Sequence, residues 1–132
     1  MKLSNEQVAT VVAEASKKMS DANYSTALVG GFVQSQTPMS QFITAHEREL
    51  GGTEAVVNVI FHAALIQTCF QRAGRMPRMV SYDDLDAVAQ GDSLLALQKM
   101  QPALADFIAS NVAHPEAQKL LALLALGMNR SG

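Results

Sequence analysis

Residues 53–73 read TEAVVNVIFHAALIQTCFQRA, and their reading decides the fold. Placed at 100° steps, Val56, Val57, Val59, Ile60, Phe61, Ile66 and Phe70 cover most of a helical circumference. Glu54, Asn58, His62, Cys69 and Arg72 fall together in one sector of roughly 80°. A helix that is apolar nearly all round is a buried, central helix. Gly51-Gly52 before it supplies a left-handed stop for the preceding helix, and Thr53 is the expected cap of this one. Glu54 in the first turn favours the helix dipole, and Gly74 is the expected terminator.

Outward toward the N-terminus, TPMSQFITAHEREL (37–50) opens with Thr37 as cap and Pro38 at the first helical position. Met39, Phe42, Ile43, His46 and Leu50 share one face of that helix. NYSTALVGGFVQSQ (23–36) places Tyr24, Leu28 and Phe32 four apart, so it reads as a helix despite Gly30-Gly31. A glycine pair there would admit a close neighbouring backbone; the competing reading is a kink or loop. Ser4 with Gln7 makes a capping box, and Val8, Val11, Val12, Ala15 and Met19 form the apolar stripe of a first helix.

Toward the C-terminus, RMPRMVS (75–81) is a connection with Pro77. Ser81 caps YDDLDAVAQ, whose Asp83 and Asp84 lie in a first turn. Asp92 caps SLLALQKM, Pro102 introduces ALADFIASNV, and Pro115 starts the leucine-rich run ending at Gly127. Strict alternation is absent throughout, so no segment reads well as a strand. The expected fold is all-α: a compact bundle of six to eight helices around the central helix at about 53–73. Residues 1–132 read as one domain, with no low-complexity tract and no convincing internal repeat.

Composition narrows the function classes. The chain has 132 residues, 48% of them hydrophobic and 5% aromatic, with seven Met and no Trp. Charged residues are 17%, below the roughly 25% usual for a soluble domain, which suggests that part of the surface is covered by another subunit. The net charge of −2 lacks the basic excess of a free-standing nucleic-acid binder. Residues 37–61 have a helix-Gly-helix form, but the second helix would show Val, Ile and Phe to the bases. A single cysteine, Cys69, excludes an intrachain disulfide scaffold. The N-terminus lacks the apolar core of a signal peptide, and LLALLALGM is about half a membrane span. The expected location is the cytoplasm, with no membrane partner.

The candidate binding residues are His46, Asn58, His62 and Cys69, as the lining of a pocket between helices. His46 with Glu49 at i+3 has usable metal spacing, but not the Glu-x-x-His order of di-iron bundles. His62 has only Asn58 one turn away, and Asn is a poor ligand. Across a Gly-Gly hairpin the two histidines would differ in height by roughly 6 Å, so neither a metal nor another cofactor is expected. Cys69 and His62 lie about 10 Å apart along the helix, too far for a nucleophile–base pair. The polar sector is then either the solvent-facing edge of the helix or a cavity wall, the edge being the expectation. Arg72, Arg75 and Arg78 follow a helix C-terminus and form a candidate anion contact.

These readings lead to a small, non-catalytic helical protein acting through protein–protein contact, as a homodimer or with another protein. The contact face would be KLLALLALGM or the first-helix stripe. The alternative is a bundle that binds a small ligand or metal near His46 and His62.

Overall fold

The computed structural model describes residues 2–75 and 78–131; Pro77 lies outside them. Among the described residues the chain forms nine helices and no strand. They are α1 (Asn5–Lys18), α2 (Ala22–Ser35), α3 (Thr37–Thr44), α4 (Glu47–Leu50), α5 (Thr53–Arg72), α6 (Tyr82–Val88), α7 (Ser93–Met100), α8 (Pro102–Asn111) and α9 (Pro115–Ser131).

The local signals act where sequence chemistry places them. Ser4 and Gln7 form the expected capping box of α1, and Ser81 and Asp84 form a second one on α6. Asp92 accepts from the amides of Leu94 and Leu95 at the start of α7. Gly51, at φ 104°, ends α4 in the left-handed region that glycine occupies without strain.

Two boundaries differ from expectation. Thr37 and Thr53 are the first residues of their helices, and Gln36 and Gly52 hold the cap positions. The helix expected over 37–50 breaks at His46 into α3 and α4. There the His46 ring takes the Phe42 carbonyl at 2.7 Å, the acceptor its own amide would use in an unbroken helix. The His46 amide turns instead to Ile43 at 3.0 Å.

α5 is a core helix as its pattern requires, with ten of its twenty residues buried. Its length and composition would suffice for a membrane span, yet α1, α2, α3, α4 and α9 all pack on it. The centre is shared with α9, where every residue from Leu120 to Met128 except Leu123 is buried. KLLALLALGM is therefore consumed inside the chain. The α1 stripe is consumed as well, since Val8, Val11 and Ala15 are buried and only Met19 at its end is exposed.

The sequence shows no repeat, but the structure is built twice from one plan. The pairs α1/α6, α2/α7, α3/α8 and α5/α9 occupy matching places. In the first half α1, α2 and α3 pack on α5; in the second α6, α7 and α8 pack on α9. The first helices are exchanged, α1 packing on α8 and α6 on α3, while α5 packs on α9. α4 is an addition to the first half.

Residue registers agree with this plan. Gln36 and Gln101 each close one helix and open the next, with a proline in the first turn that follows. Phe42-Ile43 and Phe107-Ile108 stand at the same distance beyond them. At the next matching place, Asn111 donates to the Phe107 carbonyl at 2.8 Å, as His46 does to Phe42.

The two glutamines, each only 1% exposed, bind across the halves. Gln36 Oε1 accepts from the Val80 amide at 2.8 Å, and Val80 stands just before the Ser81 cap of α6. Gln101 Oε1 accepts from the Leu3 amide at 2.8 Å, and Leu3 stands just before the Ser4 cap of α1. Val80 and Leu3 are both buried, so neither amide has water as an alternative partner.

Candidate functional site

His46 is half-buried beside Phe42, its ring centroid 4.7 Å from that of the phenylalanine. A carbonyl only accepts, so the bond to Phe42 fixes the His46 proton on Nδ1. His46, Phe42, Ser93, Glu116, Lys119 and Leu123 line a shallow groove of about 180 Å³. That is below the 300–1,000 Å³ range of small-molecule pockets, and the groove does not include Asn58, His62 or Cys69.

His62 makes the same kind of bond, from Nδ1 to the Asn58 carbonyl at 2.8 Å. Its ring lies against Phe61 and, across the halves, Phe107, with centroids 5.6 and 6.0 Å away. The two histidines thus serve separate neighbourhoods. Among the described residues, no group of three His, Cys, Asp or Glu side chains gathers as a metal centre would.

The polar sector of α5 is the expected solvent-facing edge over most of its length and is covered only at Cys69. Glu54, Asn58 and Arg72 are exposed and His62 is half-buried, whereas Cys69 is 2% exposed. Burial pushes the Cys69 thiol up to about 11, so it stays protonated and is a poor nucleophile.

The three arginines diverge. Arg72 pairs with Glu14 and ties α5 to α1. Arg75 donates to the side chain and the carbonyl of Asn129 on α9, with its guanidinium 4.9 Å from the centre of the Phe70 ring. Arg78 reaches Asp84 at 3.5 Å, and Arg130 stands 3.7 Å from the same carboxylate. Each serves a different helix, so they do not converge on one anion.

The surface feature with no internal use is the outer face of α2, whose other side packs Phe32, Tyr24, Leu28 and Val29 on the core. The helix's fourteen residues, ANYSTALVGGFVQS, include no charged side chain, and only Phe32 is fully buried. Gly30 and Gly31 are exposed, and a methyl group added to either would meet nothing within 4 Å. The close backbone approach expected at this pair is not made within the chain.

Beside α2 lies a groove of about 520 Å³, lined by Val33, Thr37, Ser40, Gln41, Thr44 and Ile60 among others. Its hydroxyls donate to backbone carbonyls one turn back: Thr37 to Val33 of α2, Ser40 to Gln36 and Thr44 to Ser40, at 2.9–3.2 Å. Their donors are thus satisfied internally, and the groove presents mainly methyl groups. The matching groove of the second half, about 260 Å³, replaces Val33 with Gln98 and Thr44 with Ala109, and carries Asp92.

The chain matches no protein-family model, no curated protein and no solved structure.

The histidines drew attention in the sequence because their ring chemistry is visible there. The α2 surface was missed, although its signal is a helix-length run without charge around a glycine pair.

Proposed function

We propose that this is a non-catalytic helical protein that acts through protein–protein contact in the cytoplasm, as a homodimer, with α2 as the contact helix. The observation that carries this reading is the uncharged α2, exposed over most of its length. A helix on the outside of a domain normally turns charged side chains to water. Each helical glycine costs about 1 kcal/mol relative to alanine, and here no neighbour within the chain uses the space. A second α2 crossing at Gly30-Gly31 would use it. Val33, 38% exposed, stands between that face and the methyl-lined groove.

The burial of Cys69, which holds its thiol protonated, argues against cysteine nucleophilic chemistry.

Sedimentation tests the reading. At tens of micromolar the chain of 14.1 kDa is expected to sediment as a dimer. Val33→Asp places a charge on the contact face and is expected to give a monomer of unchanged helicity. A strict monomer for the unaltered chain at that concentration would sink the proposal.

A further inference from the structure

We propose that the face each half turns to the other is a self-recognition surface, and that its partner is the matching half of a second copy of this chain. The protein then behaves as a pair of helical units, of five and four helices, joined by a tether, whose halves bind without the tether and re-pair between chains. This inference rests on the interior and is independent of the α2 reading.

Self-recognition is the rule by which residue i of one unit meets residue j of the other while j meets i. The contacts between the halves obey it in three places. The first is the pair of clamps: Gln36 takes the residue before the second-half cap, and Gln101 takes the residue before the first-half cap. The second is the exchange of helices, α1 onto α8 and α6 onto α3. The third is α5 against α9, the matching helices facing each other.

What each clamp recognises is specific. It is a buried aliphatic residue, Leu3 or Val80, whose amide reaches the glutamine, followed by an extended serine that caps a helix. Val8 and Leu85, matching residues one turn into those helices, are both buried. The first half alone contributes Leu3, Val8 and Gln36, and the second alone contributes Val80, Leu85 and Gln101. Each half therefore presents a complete set of the groups that the other receives.

The residue that Gln36 receives is itself fitted closely within the second half. A Cβ at Gly127 of α9 would stand 3.0 Å from Leu85 and 3.1 Å from Val80, so α6 packs against α9 at glycine distance. This seats the residue that Gln36 holds.

The test uses the full chain with a protease site inserted between Met76 and Pro77, folded first and cut afterwards. Native mass spectrometry and circular dichroism then follow the cut protein at 10 µM. The expected result is a complex that holds the two halves in equal number, with unchanged helicity. Mixed with an isotopically labelled, equally cut sample, it is expected to yield mixed-label pairs, the direct sign of re-pairing between copies. Gln36→Ala and Gln101→Ala are each expected to speed this exchange at least tenfold, because each frees a buried amide of the opposite half. Val33→Asp is expected to leave the exchange rate unchanged, which separates this surface from α2. Halves that part or lose helicity on cutting, or that stay paired without ever exchanging, would overturn the proposal.

Discussion

In the first half of the molecule Gln36 reaches over to the chain before α6; in the second Gln101 reaches over to the chain before α1. The corners around these glutamines share that amide bond and differ in the other one, Gln36 Nε2 donating to the Arg78 carbonyl and Gln101 Nε2 to Asn129 Oδ1. The outer surfaces differ more. α1 and α2 have fourteen residues each, while their counterparts α6 and α7 have seven and eight. The groove beside α2 is about twice the volume of the groove beside α7, and the latter carries an aspartate that the former lacks. The two halves therefore hold a common interior and differ where they meet solvent. Such a division places structural duty on the shared clamps, and the contact proposed for this chain falls on the unshared α2 face.

The sharpest way to break this comparison is to remove one clamp at a time. Gln36→Ala leaves the buried Val80 amide and the Arg78 carbonyl without their partner, and Gln101→Ala leaves the buried Leu3 amide. An unpaired buried group costs about 1–3 kcal/mol, and the vacated volume adds to it, so each variant is expected to lose about 3 kcal/mol. Urea denaturation measures both. If the halves are equivalent, the two losses agree to within about 1 kcal/mol; one severe and one neutral variant would end the equivalence.

A smaller effect comes from two glycines in opposite situations. Gly31→Ala adds a methyl group to open space and gains about 0.5–1 kcal/mol of helix propensity. Gly127→Ala gains the same propensity but presses on buried Leu85 and Val80, where overpacking costs about 1–3 kcal/mol. The expected signs are opposite in thermal unfolding of the monomer: stabilisation at 31 and net loss at 127. A stabilised Gly127→Ala would mean that α6 yields easily and is not seated by α9.

The contrast also explains which parts of the molecule were legible in sequence. Ser4–Gln7, Gly51-Gly52 and Pro115 act on neighbours a few residues away, so their effects can be read along the chain. The apolar period of 53–73 likewise needs only one helix to be recognised. The clamps could not be read this way. A glutamine at a helix end is ordinarily a surface residue, and the partners of Gln36 and Gln101 lie 44 and 98 residues distant. Nor is the repeat spelled in matching letters, since Met39, Ser40 and Gln41 face Leu104, Ala105 and Asp106 at equivalent places. Cys69 shows the same limit in another form. Angular position on one helix grouped it with exposed Glu54 and Arg72, but burial is set by the helices that cross at that height. His46 and His62 serve separate neighbourhoods, yet each donates to a carbonyl four residues back.

The smallest expected effect lies in the two capping boxes, which differ chiefly in the charge of the returning group. At α1 the returning group is neutral, Gln7 Oε1 accepting from the Ser4 amide at 2.8 Å. At α6 it is a carboxylate, Asp84 Oδ2 accepting from the Ser81 amide at 3.0 Å and from the Ser81 hydroxyl at 3.1 Å. These bonds, the Ser81 amide foremost, hold the Asp84 carboxyl below its ordinary value, with help from Arg78 and Arg130 and against the cost of burial. A carboxyl whose pKa is lower in the folded state stabilises fully above its unfolded value of 3.8, and that contribution disappears as pH falls through the folded value. The cap of α6 should therefore weaken below about pH 4, while that of α1 has no such dependence. Asp84→Asn makes the second cap resemble the first. It is expected to cost at most about 1 kcal/mol at pH 7, the scale of one cap, and to flatten the acid limb of stability between pH 4 and 2. Urea midpoints across that range decide the matter: an acid limb as steep in Asp84→Asn as in the unaltered chain would assign it to other carboxylates, Glu14 beside Arg72 first among them.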